Sequence, residues 1–158
     1  MYYKEIEIRW SDMDANRHLA NTAYLDFGGH TRIDFLASLG FDQKYMATHQ
    51  IGPVVFYEHV YYFREVFPGK PIKVSLDLMG LSSDGMFFEF HHNFYDHTGK
   101  NFAHTELMGG WMNLSTRKLM ALPIELLDRF NEVPKHPDFR ILTKQDTRAH
   151  AKIPKDLV

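Results

Sequence analysis

Polar and apolar positions alternate from Tyr3 to Trp10, with Ile6, Ile8 and Trp10 on one face. That period predicts a half-buried strand. A polar run, Ser11 to Asn21, then breaks the pattern. The following segment predicts a helix from Thr22 to about Leu39, with Asn21 as N-cap and Gly40 as the C-terminal stop. Its apolar residues form no single clean stripe. The pair Gly28-Gly29 sits in mid-helix, where each glycine costs roughly 1 kcal/mol against alanine. Such a pair predicts close approach of another backbone, as when a sheet wraps tightly round the helix.

Four strand-like segments follow the helix. They run over Val54–Glu65, Ile72–Met79, Met86–Tyr95 and Asn101–Leu114. Turn signals separate them: Pro68-Gly69, Ser82-Ser83-Asp84-Gly85 and Asp96-His97-Thr98-Gly99-Lys100. Gly109-Gly110 in the last strand predicts a bulge or a close backbone contact. Pro123 starts a short helix, Ile124 to Asn131. Residues from Pro134 on are polar and show little periodicity. They are read as a basic C-terminal tail, 134–158, after a domain of residues 1–133. The order of elements predicts an α+β architecture, one antiparallel sheet with its long helix on one face. A lone sheet of this kind exposes an edge strand, and pairing two copies across a two-fold axis covers it.

The chain of 158 residues suits one domain. Its net charge of -2 gives no sign of nucleic-acid binding. With no cysteine there is no disulfide, thiolate metal site or cysteine nucleophile. No apolar run has membrane-spanning length, and no leader pattern opens the sequence. A cytoplasmic location is the default expectation.

The candidate chemistry lies in the polar run. It reads Asp12-Met13-Asp14-Ala15-Asn16-Arg17-His18-Leu19-Ala20-Asn21-Thr22-Ala23-Tyr24. This run, followed by a helix and a four-stranded meander, resembles the hot-dog-fold thioesterases. It looks like the 4-hydroxybenzoyl-CoA thioesterase branch. It is also similar to the acyl-ACP thioesterases, whose loop is matched by Ser11, Asn16 and His18. The pattern departs at Arg17, where the first branch has glycine, and at Ala20, where a first asparagine is common. The resemblance implies a hot-dog fold with the sheet wrapped around one long helix. It also implies hydrolysis of an acyl thioester, carried by acyl-CoA or acyl-ACP, to a free acid and a thiol. No bound cofactor is implied, and self-association as a homodimer or homotetramer is.

By the same resemblance Asp14 is the catalytic carboxylate, as nucleophile or general base, with Asn16 and His18 in support. Read from the residues alone, Asp14 equally suits a turn-capping aspartate, and Asn16 and His18 a loop hydrogen-bond network. Arg17, Asn21, Tyr24 and Glu58 are the candidate substrate-binding residues. Against that, Asn21 also suits a helix cap and Tyr24 a core position. The acyl-ACP group carries a glutamate on the strand after the helix. Tyr61 aligns there, with Glu58 and Glu65 nearby. Asp12 is read as a turn residue or salt-bridge partner. No metal is expected: His91 and His92 are adjacent in a strand and point to opposite faces, and no metal-ligand motif occurs. The tail either binds coenzyme A phosphates or is solvated. Two other functions fit the same fold, a non-catalytic acyl-thioester binding protein and an enoyl-thioester hydratase.

Overall fold

The computed structural model describes residues 1–150 and 152–157. Strand β1 (Tyr2–Ile6) leads to a 3₁₀ turn at Trp10–Asp12, then helix α1 (Ala23–Ser38) and the short α2 (Gln43–His49). Strands β2 (Ile51–Tyr62), β3 (Ile72–Ser82), β4 (Phe87–Tyr95) and β5 (Asn101–Asn113) follow. The two-residue β6 (Lys118–Leu119), α3 (Ile124–Glu132) and β7 (Arg140–Leu142) come next, before a last 3₁₀ turn at Asp146–Arg148. The sheet order is β1-β3-β4-β5-β2, every neighbour antiparallel. This is the hot-dog fold, with the curled sheet laid around α1.

Alternation decides which face meets the helix. Ile72, Val74, Leu76 and Leu78 of β3 are buried, as are Phe88, Phe90 and Phe94 of β4 and Ala103 and Leu107 of β5. From α1 come Tyr24, Phe27, Phe35 and Leu36, spaced to lie on one side of a 3.6-residue period. Burying each large apolar side chain contributes about 1.5–3 kcal/mol. Aromatic rings dominate the far end, where Phe41 stacks on Trp111 at 5.0 Å and meets Phe130 edge-on at 5.4 Å.

Three local expectations change. Trp10 is not on the buried face of a strand but 91% exposed. The strand stops at Ile6, and Arg9 donates its backbone N–H and its guanidinium to Asp12, starting the 3₁₀ turn instead. Helix α1 starts at Ala23, and its N-cap is Thr22, whose side chain makes no cap bond. Gly28 does meet a close neighbour, but side chains and not backbone. A Cβ there would lie 3.3 Å from Arg32 and 3.5 Å from the His92 ring. The backbone approach occurs at Gly109, where a Cβ would sit 2.6 Å from the Val54 carbonyl oxygen, beside the bulge between Val55 and Tyr57.

The segment after Pro134 is also not bare of packing. Its β7 pairs in parallel with β3, matching Gly80–Ser82 to Arg140–Leu142. Leu142 is buried among Phe87 and Met108. Gly80 leaves the seat, since a Cβ there would be 2.7 Å from the Leu142 side chain. β1 covers the other half of the same β3 edge, over Ile72–Leu76.

Candidate functional site

The polar run folds into a small hairpin. Met13 and Leu19 form an antiparallel bridge, the Asp14 N–H donates to the His18 carbonyl at 3.1 Å, and the Arg17 N–H donates to the Asp14 carbonyl at 3.0 Å. Arg17 takes φ 64° at the turn, the left-handed region that glycine enters freely and other residues at a cost. This explains why the related pattern has glycine there. Two bonds moor the hairpin: Ala20 N–H to the Asp12 carbonyl at 2.9 Å, and Leu19 N–H to the Val66 carbonyl at 2.8 Å. Asp12 itself is held by Arg9, which keeps its carboxyl below the usual range. It is the structural carboxylate of the pair.

Asp14 and His18 meet at the mouth of the hairpin. His18 Nδ1 lies 3.4 Å from Asp14 Oδ2 and 3.2 Å from the Leu19 carbonyl oxygen. A carbonyl only accepts, so Nδ1 carries the hydrogen in the neutral ring, which leaves Nε2 as the acceptor. Asp14 Oδ1 accepts the Asn16 N–H at 2.8 Å. A turn-capping role and a carboxylate oxygen left for chemistry therefore coexist: Oδ1 shapes the loop, and Oδ2 faces His18. Asn16 acts here through its backbone, and its side chain is exposed.

Behind this pair lies a groove of about 320 Å³, lined by Asp14, His18, Asn21, Tyr24, Tyr62 and Glu65 among others. Tyr24 is almost wholly buried, edge-on to Tyr62 at 4.9 Å. Burial first, then the nearby Tyr62 and Asp14, push its phenol up to about 12, so it stays protonated. Asn21 is exposed and accepts the Tyr62 hydroxyl through its carbonyl at 3.1 Å. It does not cap α1 with its side chain. Arg17 is exposed at the turn and lies outside the groove lining.

Glu58 is not brought to this groove. It lies on the inner face of the sheet, 2.9 Å from Arg32 of α1. Arg32 also reaches His92 Nε2 at 3.3 Å, and His92 Nδ1 donates to the Ser75 carbonyl at 2.8 Å. Burial, then the Arg32 charge, lower His92 to about 3, so it is a neutral structural ring. The glutamate that does reach the groove is Glu65, because the chain after β2 returns to pair with Leu19. Only that nonlocal bond reveals it. A larger groove, about 720 Å³, lies at the opposite end of α1, between Ser38 and Val133, and carries no carboxylate–histidine pair.

A sequence model of the thioesterase-like superfamily matches residues 8–130. The chain belongs to that superfamily. No curated protein sequence matches the chain. Among solved structures, the thioesterase-like fold overlays on a hypothetical protein from Staphylococcus aureus in complex with CoA, with a TM-score of 0.77 at 18% identity, covering 98% of this chain and 94% of that one. A DHNA-CoA thioesterase from the same organism gives 0.77 at 18% identity, covering 96% and 95%. A 1,4-dihydroxy-2-naphthoyl-CoA thioesterase from Synechocystis gives 0.73 at 13%, covering 84% and 96%. Among the described residues, no helix is long and apolar enough to cross a membrane.

Proposed function

We propose that this thioesterase-like chain hydrolyses an acyl thioester, with Asp14 as the reacting carboxylate. The observation that carries the reading is the Asp14–His18 pair at the mouth of a groove floored by Tyr24 and adjoining the N-terminus of α1. Asp14 Oδ2 accepts a proton from water as that water adds to the thioester carbonyl. His18, sharing its Nδ1 hydrogen between Leu19 and Asp14, holds the carboxylate in place. Thr22 does not cap α1, so first-turn N–H groups are left to polarise the carbonyl oxygen. Collapse of the tetrahedral adduct breaks the C–S bond, and the proton held by Asp14 passes to the departing thiolate. The products are an acid and a thiol, and no cofactor is consumed.

Coenzyme A is the carrier this reading favours, since thioesterases and a protein bound to CoA share the fold. The chain acts in the cytoplasm as a homodimer or larger homo-oligomer. Support for assembly comes from β2, whose second edge pairs with no strand among the described residues. Val55, Tyr61, Tyr62 and Phe63 are exposed along it. A second copy there would stand beside the Tyr62 side of the groove.

The test is Asp14→Asn in a thiol-release assay over a panel of aliphatic and aromatic acyl-CoAs. The substitution keeps Oδ1 for the Asn16 N–H and removes the base. A loss of about 10²- to 10⁴-fold in kcat with the fold intact is expected. Wild-type turnover in the folded mutant would reject the assignment. Thioester binding by a wild-type protein that never releases thiol would make this a binding module, and a hydrated product would make it a hydratase.

A further inference from the structure

The outer face of the sheet, away from α1, carries a second constellation. One cross-strand row runs Asp77 on β3, His91 on β4, Glu106 on β5 and His59 on β2, each directly opposite the next. The adjacent row places Asn93 opposite His104 and His104 opposite Tyr61. One ligand atom each from His91, His104 and Glu106 fall within 4.8 Å of one another. The two imidazoles are 5.1 Å apart and perpendicular. Cross-strand neighbours on one face are the pairs a sheet brings closest, so the strand register alone assembles this group.

We infer that His91, His104 and Glu106 form a site for one divalent transition-metal ion of the zinc class. Two imidazoles and a single carboxylate suit Zn²⁺ and its neighbours rather than Ca²⁺ or Mg²⁺, which want several oxygens. Zinc bonds of about 2.0–2.2 Å hold ligand atoms roughly 3.4 Å apart, so the three side chains need close by no more than about 1.4 Å. Glu106 is about one-third exposed and its side chain is unbranched, so it has room to do so.

The surroundings hold the ligands as a metal site requires. His104 Nδ1 is 2.9 Å from Asn93 Oδ1. With Nδ1 donating to that amide oxygen, the Nε2 lone pair faces Glu106, whose Oε1 lies 3.8 Å away. A metal-bound histidine is commonly oriented in this way by an acceptor on its other nitrogen. His91 touches Glu89, whose other oxygen is taken by Arg140. His59 lies 3.7 Å from Glu106 but outside the group whose ligand atoms cluster, so water would complete the coordination. The buried Asp77 adds negative potential at the end of the row. None of these groups borders the Asp14 groove, so the site stands apart from the proposed hydrolysis.

The experiment is a zinc titration of the full chain, stripped with chelator, against a chromophoric competitor. One ion per chain is expected. His104→Ala and His91→Gln should each abolish saturable binding. Asn93→Ala should weaken it about 10- to 100-fold. His97→Ala, in the exposed turn between β4 and β5, should leave it unchanged. Histidine-selective NMR of the wild type provides the reading that needs no variant: zinc should shift the His91 and His104 ring signals together. Unchanged rings, or equal zinc uptake by wild type and folded His104→Ala, would overturn the site.

Discussion

Glu58→Gln tests the claim that this carboxylate serves the fold and not the substrate. The substitution keeps the side chain's shape and removes its charge. Glu58 and Arg32 are 18% and 14% exposed, so both sit largely out of water, 2.9 Å apart. Arginine stays protonated at any working pH, so the mutant leaves a desolvated cation whose nearest other partner is the neutral His92. Breaking a fully buried pair typically costs about 3–5 kcal/mol. With one-seventh of Arg32 still reaching solvent, about 2–4 kcal/mol is expected here. For a chain of this length, 1 kcal/mol moves Tm by about 2–4 °C, giving a fall of roughly 5–15 °C. The double variant Arg32→Met with Glu58→Leu should recover part of that loss, because no buried charge remains. It should not recover all of it, since His92 Nε2 then lacks its donor, at about 1–3 kcal/mol. The assay is urea unfolding followed by circular dichroism at fixed chain concentration. A Glu58→Gln midpoint indistinguishable from wild type would refute the desolvated-pair argument, as would a double variant less stable than the single one.

Further outcomes follow from the same structure. His92 is lowered to about 3 in the fold against about 6.5 in an unfolded chain. The unfolded state therefore binds the extra proton between those values, and stability must fall as pH drops from 6.5 toward 3, by at most about 1.4 kcal/mol per pH unit from this group. Denaturant melts of wild type and His92→Asn over that range should show the slope reduced in the variant. Leu142→Ala should cost about 2–3 kcal/mol by opening the pocket between Phe87 and Met108, read by thermal melting. Light scattering at micromolar concentration should give at least twice the monomer mass of 18.6 kDa, and a clean monomer would remove the second copy from the proposed groove.

Strands β2 to β5 were legible from their Val, Phe and Tyr content and the turn residues between them, with a clear two-residue period in β3; β3, β4 and β5 pair as chain neighbours, while β2 pairs with the distant β5. Trp10 misled because alternation continues four residues past the strand end at Ile6, into the turn that Arg9 and Asp12 hold. β7 gave no signal at all. Three residues have no period of their own, and they become a strand only because β3 offers an open edge at Gly80. In the candidate site, Asp14 and His18 are four residues apart and were visible through the resemblance. Glu65 was noted only by its nearness in sequence. It enters the groove through the Leu19–Val66 bond, which joins segments almost fifty residues apart. The proposed group of His91, His104 and Glu106 has no motif along the chain, because its members come together only across strands.

The shared edge of β3 sets an order of events during synthesis. β1 is made before β3 and must wait for Ile72–Leu76 to appear, while the strand that covers Gly80–Ser82 comes about sixty residues after the edge it pairs with. The meander of β3, β4 and β5 can close as soon as its hairpins leave the ribosome, because those contacts are local. Until Arg140–Leu142 arrives, half of one β3 edge remains an unpaired template beside Phe87 and Met108, the kind of edge on which nascent chains join one another. Without Arg140–Leu142 the chain would keep every residue of the Asp14 groove but bare a sticky edge, so β7 works as a built-in seal on β3.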